Sequence, residues 1–233
     1  MQREVIITGA AGLIGSAVTR YLHRNDWTVH AVDIKQYDMT NTHHVAEMCE
    51  LYKLVPNLIN CFAFNDHVKQ SSDRSTILDL DPVTFANVMN VNVTALFDVC
   101  RSYARVRSSI DQGGNIINFG ASTGIVSART DMYEGNHKNA AYSISKAAVI
   151  HMTKILSTHF LSLNKKFRVN CISPGGVIAD QGEEFQSLYG SHTPAGRMLC
   201  VEELFPVVDM LLDPRNTYMQ GANIVVDGGW TIQ

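Results

Sequence analysis

The 233-residue chain has no uninterrupted apolar run of about 18 residues, the length that crosses a bilayer as a helix. No membrane-spanning segment is therefore expected. Its N-terminus, MQREVIITG, enters a strand pattern without the apolar core of a secretion signal, so a cytoplasmic location is the expectation. It also lacks any block of Lys and Arg, and 19 basic against 22 acidic residues leave a net charge of −3. A general nucleic-acid or membrane-surface binder would need a basic face, so neither partner is expected. The five cysteines (Cys49, Cys61, Cys100, Cys171, Cys200) form no C-x-x-C pair, and the nine histidines show no H-E-x-x-H spacing. This excludes a recognisable disulfide framework and makes a metal site unexpected. Repeats, low-complexity tracts and Pro/Gly/Ser linkers are absent as well, so a single domain over 1–233 is expected, with a small molecule as its ligand.

What is present is an alternation. Six short runs rich in β-branched residues (EVIITG, TVHAVD, NLINCFAF, NIINFGA, FRVNCISPGG, ANIVVDGG) are separated by segments with helical apolar spacing. This is the pattern of an α/β domain with a mostly parallel sheet. One connection is too short. After the second run ends at Asp33, only IKQY precedes DMTN, which has the look of a third strand end with a helix cap at Thr40 or Asn41. A parallel crossover needs about a dozen residues or more, so the helix between strands 2 and 3 is expected to be missing and the third strand rudimentary.

The first run opens into TGAAGLIGSAV, with glycines at 9, 12 and 15 followed by a helical pattern. Glycine permits the tight turn and close approach of a diphosphate to backbone, and a helix N-terminus favours the anion. Taken alone, such a loop can also be an ordinary strand-to-helix turn. Its place after the first strand, with Asp33 closing the second strand eighteen positions beyond Gly15, favours dinucleotide binding. Asp33 can accept hydrogen bonds from ribose hydroxyls and repel a 2′-phosphate, which favours NAD over NADP; Lys35 nearby softens the choice.

In AAYSISKAAV, Tyr142 and Lys146 stand at i and i+4, on one face of a helix. Isolated, Y-x-x-x-K is more often a surface pair than a site. An ammonium beside a phenol, however, stabilises the phenolate and would lower a pKa that is ordinarily about 10.

Six segments (TGAAGLIG, VNVTALF, NIINFGASTG, AAYSISKAAVIHMTK, FRVNCISPGGV and GANIVVDGGW) follow the order and approximate spacing of the short-chain dehydrogenases/reductases. The chain resembles the shorter, single-domain members over essentially its whole length. The resemblance implies a Rossmann-like, doubly wound parallel sheet and an NAD-dependent oxidoreductase moving a hydride between nicotinamide and a secondary alcohol or ketone. Tyr142 would be the general acid/base. Lys146 would hold the nicotinamide ribose and depress the phenol pKa, and Asn92 would support a water-linked proton route to the lysine. The backbone of Gly9, Ala11, Gly12, Leu13, Ile14 and Gly15 would meet the diphosphate. Asp38, Met39, Phe62 and Ala63 would lie on the adenosine side, and Pro174, Gly175 and Val177 would flank the nicotinamide.

Four departures qualify this. The glycines are spaced G-x-x-G-x-x-G, as in the longer members. N-N-A-G reads NCFA at 60–63, and Ala179 stands where a threonine is expected. Ala121 occupies the position of the catalytic serine, with Ser122 one place later and twenty positions before Tyr142. Either a local bulge lets Ser122 serve, or the inserted loop with Tyr133, Glu134, His137 and Lys138 supplies a substitute, or the site is impaired. The last option would make the protein a dinucleotide-binding sensor or scaffold. An epimerase or dehydratase acting on a nucleotide sugar is a third reading. MYEG, SPGGVIADQGEEF and TPAGRM resemble a branch found in surface-glycan and flagellin sugar pathways, implying a sugar or sugar derivative as substrate.

Segment 176–200 reads as a mobile helical flap, with Phe185, Leu188, Tyr189 and Arg197 as candidate substrate neighbours or, for the apolar three, flap packing. Long helices beginning near Pro82 and Tyr142 carry apolar residues around much of their circumference, among them Phe97 and Ile155. A homodimer or homotetramer built through them is expected.

Overall fold

The computed structural model describes residues 3–65, 77–132 and 138–233. Tyr133, Glu134 and His137 of the inserted loop lie outside the described residues.

The six apolar runs form the strands β1 (Glu4–Thr8), β2 (Thr28–Val32), β3 (Asn57–Asn60), β4 (Asn115–Phe119), β5 (Arg168–Pro174) and β6 (Asn223–Val226). They pair in parallel in the order β2-β1-β3-β4-β5-β6, which places a reversal of winding direction between β1 and β3. Side-chain alternation along each strand feeds two cores. Val5, Ile7, Ile59, Ile117 and Ile172 face α1 (Leu13–Arg24) and α7 (Phe205–Leu212). Ile6, Leu58, Ile116, Val169 and Cys171 face α2 (Thr42–Leu51), α4 (Leu96–Ser109) and α5 (Ala140–Leu163). A shorter α3 (Pro82–Met89), capped by the Asp81 carboxylate, runs into α4 through a π-helical turn, Asn90–Ala95. Helix α6 (Glu183–Ser191) belongs to the flap and packs in a third, smaller cluster with Met132, Tyr189, Met198 and Trp230.

The connection after β2 has no helix before Asn41, as its length dictates, and Asn41 caps α2 by accepting from the His43 and His44 amides. The rudimentary third strand expected at Asp38–Met39 does not form. The amides of Gln36 and Tyr37 are spent on the Asp33 carbonyl, that of Asp38 on His44 Nδ1 and that of Asn41 on the Asp38 carbonyl. Local turns thus consume the groups that would have paired with β2, leaving β2 as the sheet edge.

Beneath the carboxyl ends of the strands runs a row of buried polar side chains. Thr8 Oγ1 donates to Asn60 Oδ1 (3.0 Å), Asn60 Nδ2 to Asn118 Oδ1 (3.0 Å), and Asn118 Nδ2 to Thr153 Oγ1 (3.1 Å). Thr8, Asn60 and Asn118 are register neighbours, so one polar rung crosses β1, β3 and β4 and reaches α5. A buried polar group left without a partner costs about 1–3 kcal/mol. Asn118→Ala strands its neighbours on both sides, and urea denaturation is expected to show a loss on the order of 3 kcal/mol, whereas Lys165→Ala, exposed just beyond α5, changes stability little.

Candidate active site

The glycine turn is built by contact as much as by conformation. Gly9 has φ +68°, and a Cβ there would lie 2.4 Å from the Phe62 amide nitrogen, so β1 and β3 close on each other at the reversal point. A Cβ on Gly15 would lie 2.1 Å from the Gly9 carbonyl oxygen. Gly12, the N-cap of α1, contributes no capping side chain, which leaves the first amides of the helix, Leu13, Ile14 and Gly15, to an external acceptor. At the end of β2, Asp33 Oδ2 accepts from the Ala11 amide (2.8 Å) and Oδ1 from the Ile34 amide (2.9 Å), so the acidic side chain lies against the glycine turn. Phe62 packs on the core, and Ala63 is exposed. Asp38 and Met39 are placed differently from one another: the Asp38 carboxylate accepts from the Thr40 amide and hydroxyl, while Met39 is buried with Val45 and Met48.

Helix α5 begins at the Asn139 cap and carries Tyr142, Ser145 and Lys146 in its first two turns. Lys146 is 5% exposed; its Nζ donates to the Phe119 carbonyl at the end of β4 (2.7 Å) and lies 5.6 Å from the Tyr142 ring centroid. Lys138, from the inserted loop, places its Nζ 4.8 Å from the same centroid and donates to Asn65 Oδ1 (3.0 Å). Two amines therefore lie near the Tyr142 ring, and nothing in the isolated Y-x-x-x-K spacing announced the second.

The expected depression of the phenol pKa is not what the structure gives. Burial pushes Tyr142 up to about 12 and Lys146 down to about 8. The lysine is aimed at a backbone carbonyl, and desolvation of both groups outweighs their mutual attraction.

Asn92 sits in the π-helical turn and is 2% exposed. Its Oδ1 accepts from the Phe64 amide (2.7 Å), while Nδ2 donates to the Phe64 carbonyl (3.0 Å) and Ser145 Oγ (2.9 Å); Ser145 in turn donates to the Tyr142 carbonyl (2.7 Å). Both amide protons are spent, so the Asn92 side chain acts here as a brace between the post-β3 chain and the turn bearing Tyr142. Ser122 opens a 3-10 turn, Ser122–Gly124, pressed onto α5: a Cβ on Gly124 would lie 2.7 Å from the Ala147 nitrogen.

On the far side, Pro174 ends β5, the Gly175 amide donates to the Val226 carbonyl (2.9 Å), and Val177 bridges to Leu199. Ala179 stands in a turn closed by Gln181, which accepts from the Ala179 amide (2.8 Å) and donates to the Val177 carbonyl (3.2 Å). In the flap, Phe185, Leu188 and Tyr189 are packing residues of the third cluster, and Arg197 forms a two-pronged pair with Glu203 (2.7 Å each).

A family model described as enoyl-(acyl carrier protein) reductase matches residues 45–231. The chain belongs to the short-chain dehydrogenase/reductase family. Relatives of this short-chain type are close in shape. A crystal structure of a short chain dehydrogenase from Leptospira borgpetersenii with bound NAD+ has a TM-score of 0.88 at 29% identity and covers 100% of this chain and 94% of that one. Dehydrogenase/reductase SDR family member 6 of Xenopus laevis is 25% identical over 256 residues, 99% of this chain and 98% of that protein. Galactitol 2-dehydrogenase (L-tagatose-forming) of Cereibacter sphaeroides is 29% identical over 161 residues, 66% of this chain and 60% of that protein. The protein is an oxidoreductase of the dehydrogenase/reductase type, with a nicotinamide dinucleotide as its cofactor class. The uncapped helix start and the two glycines that tolerate no Cβ fit a diphosphate at this turn.

The lowered Lys146 pKa has a measurable consequence. The unfolded chain, with lysine near its ordinary value, binds the proton that the folded site has released between about pH 8 and 10.5, so Lys146 makes stability rise with pH across that window. The contribution is complete above the unfolded value and is lost as pH falls through about 8. Lys146→Met removes this slope. Urea denaturation at several pH values should show wild type gaining up to about 3 kcal/mol relative to the variant on going from the bottom to the top of the window.

Proposed function

We propose that the protein is a cytoplasmic NAD-dependent dehydrogenase/reductase that interconverts a secondary alcohol and a ketone on a sugar or sugar derivative, and works as a homodimer or homotetramer. The observation that carries the chemistry is the pair Tyr142 and Lys146 on one face of α5, braced by Asn92 and set over the end of β4. Bound nicotinamide supplies or removes the hydride at the substrate carbon. A Tyr142 phenol pushed up to about 12 holds its proton at neutral pH and can give it to the oxygen of a carbonyl being reduced; in oxidation the proton returns. Charged Lys146 and Lys138 near the ring stabilise the phenolate left behind. Ser122, trapped against α5, takes the place of the serine that Ala121 replaces and holds the same oxygen.

Asp33 supports the NAD preference: each of its oxygens accepts one amide, leaving lone pairs for ribose hydroxyls and a negative charge against a 2′-phosphate. The polyol substrate of the galactitol relative supports a hydroxylated substrate here. Exposed Phe97 on α4 and Ile144 and Ile155 on α5 support assembly through these helices.

Fluorescence titration should show NADH binding at least about tenfold tighter than NADPH, and Asp33→Ser should narrow that ratio; equal affinities in the wild type would remove the NAD assignment. With a panel of polyols and ketoses, Tyr142→Phe is expected to lower kcat by about 10² to 10⁴ while NADH affinity stays unchanged. Full activity in that variant would refute the role given to the phenol. Light scattering should give the mass of two or four chains, and a single-chain mass excludes the assembly.

A further inference from the structure

We propose that Asn65, in the chain that follows β3, is a positioning residue that holds the Lys138 ammonium over the Tyr142 ring, so that a charge from outside α5 stabilises the phenolate formed in the reaction. The inference deepens the oxidoreductase reading and rests on Tyr142 as the group that exchanges the proton.

The two amines near the ring are held in different ways. Lys146 Nζ lies 5.6 Å from the ring centroid, is buried, and donates to the Phe119 carbonyl (2.7 Å), so its place is set by the end of β4. Lys138 is half-buried; its Nζ lies closer, 4.8 Å from the centroid, and donates to Asn65 Oδ1 (3.0 Å). Both distances fall within the reach of about 6 Å at which a cation is attracted to the face of a ring. The attraction grows when the phenol becomes an anion. The thiols of Cys61 and Cys171, which act on Lys146, keep their protons, because burial pushes them up to about 12 and about 11.

A lysine on its flexible stem keeps no fixed place over a ring unless both of its ends are held. Here both are. Lys138 is one residue before Asn139, the buried N-cap of α5, whose side chain accepts from the Ala141 amide (2.9 Å). The base of the lysine is thereby anchored to the helix start. At its other end stands Asn65, whose neighbour Phe64 has both backbone groups bound by Asn92, the amide at 2.7 Å and the carbonyl at 3.0 Å. Asn92 donates in turn to Ser145 on α5 (2.9 Å). The contacts close a circuit from α5 through Asn92, the 64–65 chain and Lys138 back to the Tyr142 ring.

An amide at 65 does what a carboxylate could not: its oxygen accepts an ammonium proton without cancelling the charge. That charge matters because burial pushes Tyr142 up to about 12 and makes the phenolate unfavourable. When Tyr142 gives its proton to a carbonyl oxygen, the negative charge left on the phenol has a cation on the face of its ring.

Trifluorotyrosine at position 142 ionises below the other tyrosines, so its ultraviolet absorption can be titrated with no substrate present. In this protein Lys138→Met and Asn65→Ala should each raise the titration midpoint by about one pH unit, a tenfold change in acid dissociation. Asn65→Asp, which keeps the contact but opposes the charge, should raise it as well. An unmoved midpoint in any of the three overturns the proposal; in Asn65→Asp it would reduce the contact to packing. Unchanged melting temperatures check that folding is spared. The second arm uses whichever polyol or ketose is turned over. Lys138→Met and Asn65→Ala should each lower kcat about tenfold with the KM for NADH unchanged, and the double variant should lose no more than Lys138→Met alone. Multiplicative losses overturn the proposal. Absence of turnover with every compound counts against the oxidoreductase reading, and the titration still decides the role of Asn65.

Discussion

The candidate site is held together by the row of buried polar side chains that links β1 to α5. The strand that delivers the glycine turn and the helix that carries Tyr142 are not sheet neighbours: β1 pairs with β2 and β3, and α5 packs over β4 and β5. Apolar contacts alone would leave their relative register soft, because dispersion and burial are not directional. The Thr8, Asn60, Asn118 and Thr153 chain is directional at every step, and each member is almost fully buried. Asparagine is a poor strand former, so its presence at matching register positions of β3 and β4 is explained by this connection and not by local preference.

Above that row, burial governs the electrostatics. Lys146 is surrounded so completely that its amine is pulled down to about 8, and Tyr142 is pushed up to about 12. Both shifts disfavour the charged form, so at neutral pH the phenol keeps its proton while the lysine, still mostly protonated, gives up its charge more readily than a free lysine. The Phe119 carbonyl and the Asn92–Ser145 brace hold the two side chains where they are, so pKa and position have one origin.

The site is assembled from both directions of the winding. Toward β2, the reversal at β1 and β3 opens the crevice in which the glycine turn and Asp33 meet. Toward β6, the chain after β5 continues into the flap, whose third apolar cluster is separate from the two sheet cores. Within that segment the Tyr189 hydroxyl accepts from the Gly176 amide, tying α6 back to the chain just beyond β5.

The six strands, their parallel sense, the missing helix after β2, the glycine turn and the family were all legible in the chain, because each rests on a local pattern: β-branched runs, helical spacing, loop length and short ordered motifs. A cap at Thr40 or Asn41 was legible for the same reason, and the structure selects Asn41; the strand end expected at Asp38 does not form, since the competition between ladder and turn bonds is settled by which partners lie nearby. The direction of the phenol shift, the second amine over the Tyr142 ring, the bracing role of Asn92 and the Tyr189 hydroxyl on Gly176 were decided by tertiary structure alone. Desolvation and hydrogen bonding between residues tens of positions apart depend on how densely other chain segments surround a group. Spacing along the chain determines which faces side chains share; only packing determines what water they lose.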